Sequence, residues 1–236
     1  MLTEVLDNNG WYLCGAVGHS KLMQQYYLAG GTALALQLNH RKSYDLDFFR
    51  IGTHEKIDFN GILKDLRDIF RKEDISVELR KIDQTIIEIS GTKVTFLAYP
   101  FPLVNPLVEG QKPSKYLSGI KLAHPLEIAL MKAYALGRRI TFRDYIDLYF
   151  LFKHRLVSIE YILEEAPKKF MIGKETVFSP KLFLQQLVYT RDIQDKEAAI
   201  DTLLGEKVGS NDIEEFLRQE VMSFLKNNPV IRNGGC

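Results

Sequence analysis

The sequence predicts an α+β protein, with a mixed sheet and helices in its N-terminal part and a run of helices after it. Three observations predict this. Between residues 44 and 99 short apolar–polar alternations are separated by turn residues, which is the pattern of strands. A proline-rich stretch with Pro100, Pro102, Pro106 and Pro113 then interrupts the pattern. From Pro125 to Leu225 apolar residues recur at three- and four-residue spacing, as on buried helix faces. The break sets the expected domains at 1–112 and 113–236.

The elements follow in order. Leu22 to Leu28 is apolar and aromatic and runs into Gly30-Gly31, which interrupts regular structure. Thr32 is placed to cap a short buried helix through Ala33-Leu34-Ala35-Leu36. After the polar Arg41 to Ser43, Tyr44 to Arg50 alternates as a strand, with Leu46 and Phe48 on one face and Asp45 and Asp47 on the other. Ile62 to Ile69 reads as an amphipathic helix. Ser76 to Ile82, Thr85 to Ser90 and Lys93 to Tyr99 read as strands, the last two joined by a hairpin turn at Gly91-Thr92. Pro125 suits a first helical position, before Leu126 to Leu136. Further helices are expected over Arg143–His154, Ile159–Phe170, Lys181–Tyr189 and Asp212–Leu225.

Composition sets the broad class. Hydrophobic residues make up 46% of the 236 and charged residues 26%, which supplies a core without disulfides or a structural metal. No apolar run approaches the ~20 residues of a membrane helix, so no membrane partner is expected. Met1 to Asn9 carries acids and no basic, apolar leader pattern, and two cysteines, Cys14 and Cys236, make no disulfide framework; both features point to the cytoplasm. A net charge of +1 argues neither for nor against a polyanionic partner. Two basic groups stand out, Arg138, Arg139 and Arg143, then Lys153, His154 and Arg155; such groups ordinarily form solvated faces.

The chemistry is concentrated in Gly30-Gly31-Thr32 and Asp45-Leu46-Asp47. Two glycines let backbone approach a ligand closely, and the free N–H groups and positive dipole end of the helix behind them suit a phosphate. Carboxylates two residues apart on a strand face the same way, with Cα atoms about 7 Å apart. Such a pair holds Mg²⁺ when substrate phosphates and water complete its shell. Each feature alone is common in turns and on surfaces. Their conjunction, with both acids set among Leu46, Phe48 and Phe49, favours the functional reading.

The runs Tyr27-Leu28-Ala29-Gly30-Gly31-Thr32-Ala33-Leu34-Ala35-Leu36 and His40-Arg41-Lys42-Ser43-Tyr44-Asp45-Leu46-Asp47-Phe48-Phe49 resemble the AbiEii/AbiGii toxin family of nucleotidyltransferases, within the DNA polymerase β-like superfamily. The resemblance implies a nucleotidyltransferase fold in the N-terminal domain. It implies that Gly30, Gly31 and Thr32 form a phosphate-binding turn and that Asp45 and Asp47 are catalytic metal ligands. Arg41 and Ser43 match the family's approach to the acids, the first as a phosphate contact and the second as a cap or backbone contact. A surface arginine and a turn serine would read the same way.

Lys132 is the second unusual residue, because its helical neighbours Ile128, Ala129, Ala135 and Leu136 are apolar. It either snorkels outward or is held for a purpose. Asp144 and Asp147 share a helix face, where a surface network with Arg143 is the bland reading. Here the resemblance continues, through Glu127 to Leu136, then Arg138 or Arg139, then Arg143-Asp144-Tyr145-Ile146-Asp147-Leu148. It implies that Lys132 neutralises triphosphate charge and that Asp144 orients Lys132 or the acceptor. One departure stands against full activity. The third carboxylate common in the superfamily would fall on the strand Lys93 to Leu97, where Thr95 stands, with Glu88 on the preceding strand as a substitute.

The resemblance therefore implies a Mg²⁺-dependent transfer of a nucleotidyl group from an NTP to a macromolecular acceptor. The acceptor expected is RNA, with the 3′ end of tRNA named first and a protein hydroxyl second. The chain would be the toxin of a toxin–antitoxin or phage-defence pair with a cognate antitoxin. The alternative is a nucleotide-binding or interaction module that keeps the fold and has lost the chemistry.

Overall fold

The computed structural model describes residues 4–139 and 141–228, so the expectation for Cys236 and the first three residues lies outside the described residues. The chain divides into two compact units, Met1–Ile128 and Ala129–Cys236. In the first, α1 (Asn8–Gly18) starts at Asp7, whose carboxylate accepts from the Gly10 N–H at 2.7 Å. After a 3₁₀ turn come β1 (Tyr26–Leu28), α2 (Gly30–Leu38), β2 (Leu46–Arg50) and α3 (Phe59–Ile69). The antiparallel β3 (Ile75–Arg80), β4 (Gln84–Ile89) and β5 (Thr92–Leu97) follow, then the short β6 (Val108–Glu109) and β7 (Lys121–Leu122).

These seven strands form one mixed sheet in the order β3-β4-β5-β2-β1-β7-β6. β2 runs parallel to β5 and antiparallel to β1, so the strand that carries Asp47 lies in the middle of the sheet. The alternation sorts its side chains: Leu46 and Phe48 are buried, whereas Asp47 is half-buried. Phe48 pairs in register with Phe96, their rings stack at 5.4 Å, and Tyr26 meets Phe96 edge-on at 5.1 Å.

The proline-rich stretch belongs to this first unit, because the chain returns to the sheet after it. β7 pairs with β1 at Leu28 and Leu122, and Gly110 donates to the Ile120 carbonyl. The buried Glu127 carboxylate also accepts from the backbone N–H groups of Val104 and Asn105, at 3.1 and 3.0 Å. The division thus lies inside α4 (Pro125–Ala135), downstream of the expected 112/113 boundary.

The second unit continues α4 and adds α5 (Phe142–Lys153), α6 (Ile159–Lys169), the hairpin β8 (Met171–Ile172) and β9 (Glu175–Thr176), α7 (Pro180–Leu187), α8 (Lys196–Ile200) and α9 (Ser210–Asn227). α5 is buried almost all round, and both α8 and α9 pack on it, which makes it the central helix. Asp195 holds the start of α5, accepting from the Phe142 N–H at 2.9 Å and the Thr141 hydroxyl at 2.8 Å. A carboxylate there also complements the helix dipole. Among the described residues no helix is long and apolar enough to cross a membrane.

Removing the ring at the centre of the sheet core tests this packing. Phe96→Ala should cost about 3–5 kcal/mol, the usual loss for a buried phenylalanine. It should appear as a lower urea midpoint, and a loss within about 1 kcal/mol would contradict the central placement of Phe96.

Candidate active site

The site in the first unit is built where α2 begins beside β2. Ala29, in extended geometry, is the N-cap, and its N–H donates to the Asp47 carbonyl at 2.9 Å. Gly30 follows with φ +65, a left-handed conformation that glycine adopts at little cost. A β-carbon on Gly30 would lie 3.1 Å from the Asp47 Oδ2 atom, so that carboxylate oxygen sits against the opening of the helix. The N–H groups of this first turn have no acceptor one turn back within the helix.

Thr32 differs from its expected role. It lies inside the first turn of α2 and makes no cap; instead its hydroxyl donates to the Asp45 carbonyl at 2.5 Å. A hydroxyl has one proton, so the Ser43 hydroxyl, 2.6 Å away, donates to Thr32. The Ser43 N–H in turn donates to the Val5 carbonyl at 2.8 Å. These bonds fasten the loop before β2 to the helix. Asp45 is therefore the residue just ahead of the strand, half-buried, and not a strand residue as the alternation suggested. Arg41 and Ser43 are both buried, at 2% and 6% exposed, which overturns the surface reading of the arginine; the Arg41 guanidinium donates to the Lys42 carbonyl at 2.9 Å.

The sheet register places the two positions considered for a third carboxylate. Asp47, Thr95 and Ile86 align across β2, β5 and β4, so no acid stands beside Asp47 in that row. Glu88 pairs with Lys93, whose ammonium bridges Glu78 at 2.9 Å. Among the described residues no three acid, histidine or cysteine side chains gather closely enough to hold a metal. The Asp47 carboxylate meets the N-terminus of α2, and Asp45 is held to the same turn through its carbonyl. That donor set fits Mg²⁺, a hard cation that takes one or two carboxylates and fills its shell with phosphate and water.

A separate cluster occupies the second unit. Lys132, 4% exposed, pairs through its ammonium with Asp144 Oδ1 at 2.6 Å and Asp147 Oδ2 at 2.5 Å. Arg139 grips Asp144 with two parallel bonds of 2.7 Å. Lys132 is held rather than snorkelling, and Asp144 and Asp147 form a buried network rather than a surface one. Burial pushes the Asp144 carboxyl up, but Lys132 and Arg139 outweigh it and hold it below the usual carboxylate range. Asp147, set by the sequence on the Asp144 face but given no role of its own there, is the second carboxylate on Lys132. Arg138 is also engaged, stacked 3.8 Å from the Tyr134 ring centroid and donating to the carbonyls of Tyr134 and Val177.

A family model described as "Nucleotidyl transferase AbiEii toxin, Type IV TA system" matches residues 11–226. The chain belongs to this family. An uncharacterized protein of Aquifex aeolicus is 28% identical over 207 residues, which cover 87% of this chain and 91% of that one. A putative nucleotidyltransferase from H. pylori is similar in fold, with a TM-score of 0.53 at 17% identity, covering 93% of this chain and 95% of its own. MenT4, a nucleotidyltransferase toxin of Mycobacterium tuberculosis, gives a TM-score of 0.60 at 14% identity, covering 93% of this chain and 82% of its own. This chain shares the nucleotidyltransferase fold of these structures, as the resemblance implied.

The Asp144 cluster predicts an acid limb in stability. A carboxyl held below its unfolded value, about 3.9, stabilises the fold in full above that pH. The contribution is lost as pH falls through the lower folded value. Asp144→Asn should therefore be about 3 kcal/mol less stable at neutral pH, as expected when one member of a buried pair is removed. Its melting temperature should also fall less steeply than the wild type's below about pH 4. Parallel acid limbs in the two proteins would contradict the assignment.

Proposed function

We propose that this chain is a toxin nucleotidyltransferase that moves a nucleotidyl group from an NTP to a hydroxyl of a macromolecular acceptor. One observation carries the proposal: the Asp47 carboxylate set against the Gly30 turn, with Asp45 tied beside it by Thr32. Mg²⁺ held by Asp45 and Asp47 would offset phosphate charge and orient the triphosphate. Gly30, Gly31 and Thr32 present backbone N–H groups to phosphate oxygens. Ser43 acts through Thr32, holding the Asp45 backbone, and Arg41 adds fixed positive charge. Lys132 neutralises triphosphate charge, and Asp144 orients it. In the transfer, the acceptor oxygen bonds to the α-phosphorus while its bond to the β-phosphate bridge breaks. Pyrophosphate leaves, and the hydroxyl proton passes to solvent.

RNA is the acceptor we favour, specifically the 3′ end of tRNA; the exposed Arg138 and Arg139 and the absence of an acidic surplus support it. As the toxin of a type IV pair, the chain would work against a cognate antitoxin. A second reading has its own support. Thr95 aligned with Asp47, and Glu88 paired with Lys93, leave the superfamily's third acid position unfilled, which favours a binding module with lost chemistry.

Incubation with each labelled NTP, Mg²⁺ and total cellular RNA or protein separates the readings. Label should appear on small RNA, decline as salt rises, and vanish in Asp45→Asn. Label on protein bands would make a protein hydroxyl the acceptor, and label nowhere under any NTP would favour the module.

A further inference from the structure

Beside the Lys132 cluster, within the second unit, lies a pocket of about 230 Å³. Its walls include Gly137, Arg139, Tyr145, Gln186, Tyr189 and Asp192. That volume is below the ~300–1,000 Å³ of sites for drug-sized ligands, so the pocket suits one ring system and not a whole nucleotide.

The walls are fixed and chemically specific. The Tyr145 hydroxyl on α5 donates to the Gln186 carbonyl at 2.8 Å, with the Tyr189 carbonyl 3.1 Å away, which ties down the end of α7. Gly137 has φ +78, and a β-carbon there would lie 3.0 Å from the Gln186 Cγ atom, so glycine lets this side chain approach. No hydrogen bond engages the Gln186 amide among the described residues; it offers a donor and an acceptor side by side. Tyr189 lines the pocket with a half-exposed ring, held by a bond of 2.8 Å from its hydroxyl to Asp192. Arg139 adds a guanidinium plane locked by its two hydrogen bonds to Asp144. An aromatic ring, a guanidinium plane and a bidentate amide together are the means by which proteins bind unstacked bases.

We propose that this pocket binds a single nucleobase. The inference deepens the reading above and rests on it, because Asp144 bonds at once to Lys132, assigned to phosphate, and to Arg139, which lines the pocket. The base belongs either to the NTP or to the end of an RNA acceptor, and the binding chemistry is shared.

The test uses the full chain and three probes: the four nucleoside monophosphates, single-stranded oligoribonucleotides ending in each base, and inorganic tripolyphosphate with Mg²⁺. Binding is compared in wild type, Gln186→Leu and Tyr189→Ala. Both residues bond to Tyr145 through backbone carbonyls, so the substitutions keep that tie. One base should be preferred, Tyr189→Ala should weaken it at least about fivefold, and Gln186→Leu should erase the preference. Tripolyphosphate affinity should not change in either variant. Losses seen with monophosphates assign the pocket to the NTP, and losses seen only with oligonucleotides assign it to the acceptor. Equal binding of base-bearing probes by all three proteins, or binding of none, overturns the pocket proposal. Failure of the wild type to bind tripolyphosphate overturns the phosphate reading instead, and the base-bearing probes still decide the pocket.

Discussion

Where α2 meets β2, the Asp47 carboxylate approaches Gly30 so closely that a side chain there would press on it. An alanine would also bear a left-handed φ, a strain of roughly 1–2 kcal/mol. The rest of the first unit arranges itself around that approach. β2 is central, so Leu46 and Phe48 anchor the strand in the core while Asp47 faces the other way. Thr32 and Ser43 then fix Asp45 relative to the same helix. The Asp47 carboxylate, Asp45 and the first turn of α2 are thus held together, as the proposed metal–triphosphate site requires.

The second unit solves a different electrostatic problem. Lys132, Asp144 and Asp147 are nearly excluded from water, where an unpaired charge would cost several kcal/mol. With Arg139 the cluster has two cations and two anions and is formally neutral. Replacing it with apolar residues would be at least as stable on general grounds. Two parallel hydrogen bonds from Arg139 fix Asp144, and Asp144 in turn holds the Lys132 ammonium.

Long periodic elements were legible in the sequence, and short ones were not. Helices α5, α6 and α9 fall close to their expected spans because each carries several apolar repeats. β6, β7, β8 and β9 are two residues long, below the length at which alternation carries a signal. β7 matters most, since its return to β1 draws the proline-rich stretch into the first unit. α1 escaped because Asn8, Asn9 and Gly10 are weak helix formers, although Asp7 was a readable cap. In the site, Gly30 and the acids were visible as a motif. The exchange of Thr32 from cap to latch, and the pairing of Asp147 with Lys132, arise from tertiary contacts between segments distant in the chain.

The central claim is that the two aspartates hold a metal which in turn holds a triphosphate. Calorimetric titration with an NTP, with and without Mg²⁺, in wild type and in the Asp45→Asn, Asp47→Asn double variant, tests it most directly. Mg²⁺ should tighten binding to the wild type by at least about tenfold, or ~1.4 kcal/mol, and should have no such effect on the variant. A Mg²⁺-dependent gain of equal size in both proteins would contradict the account.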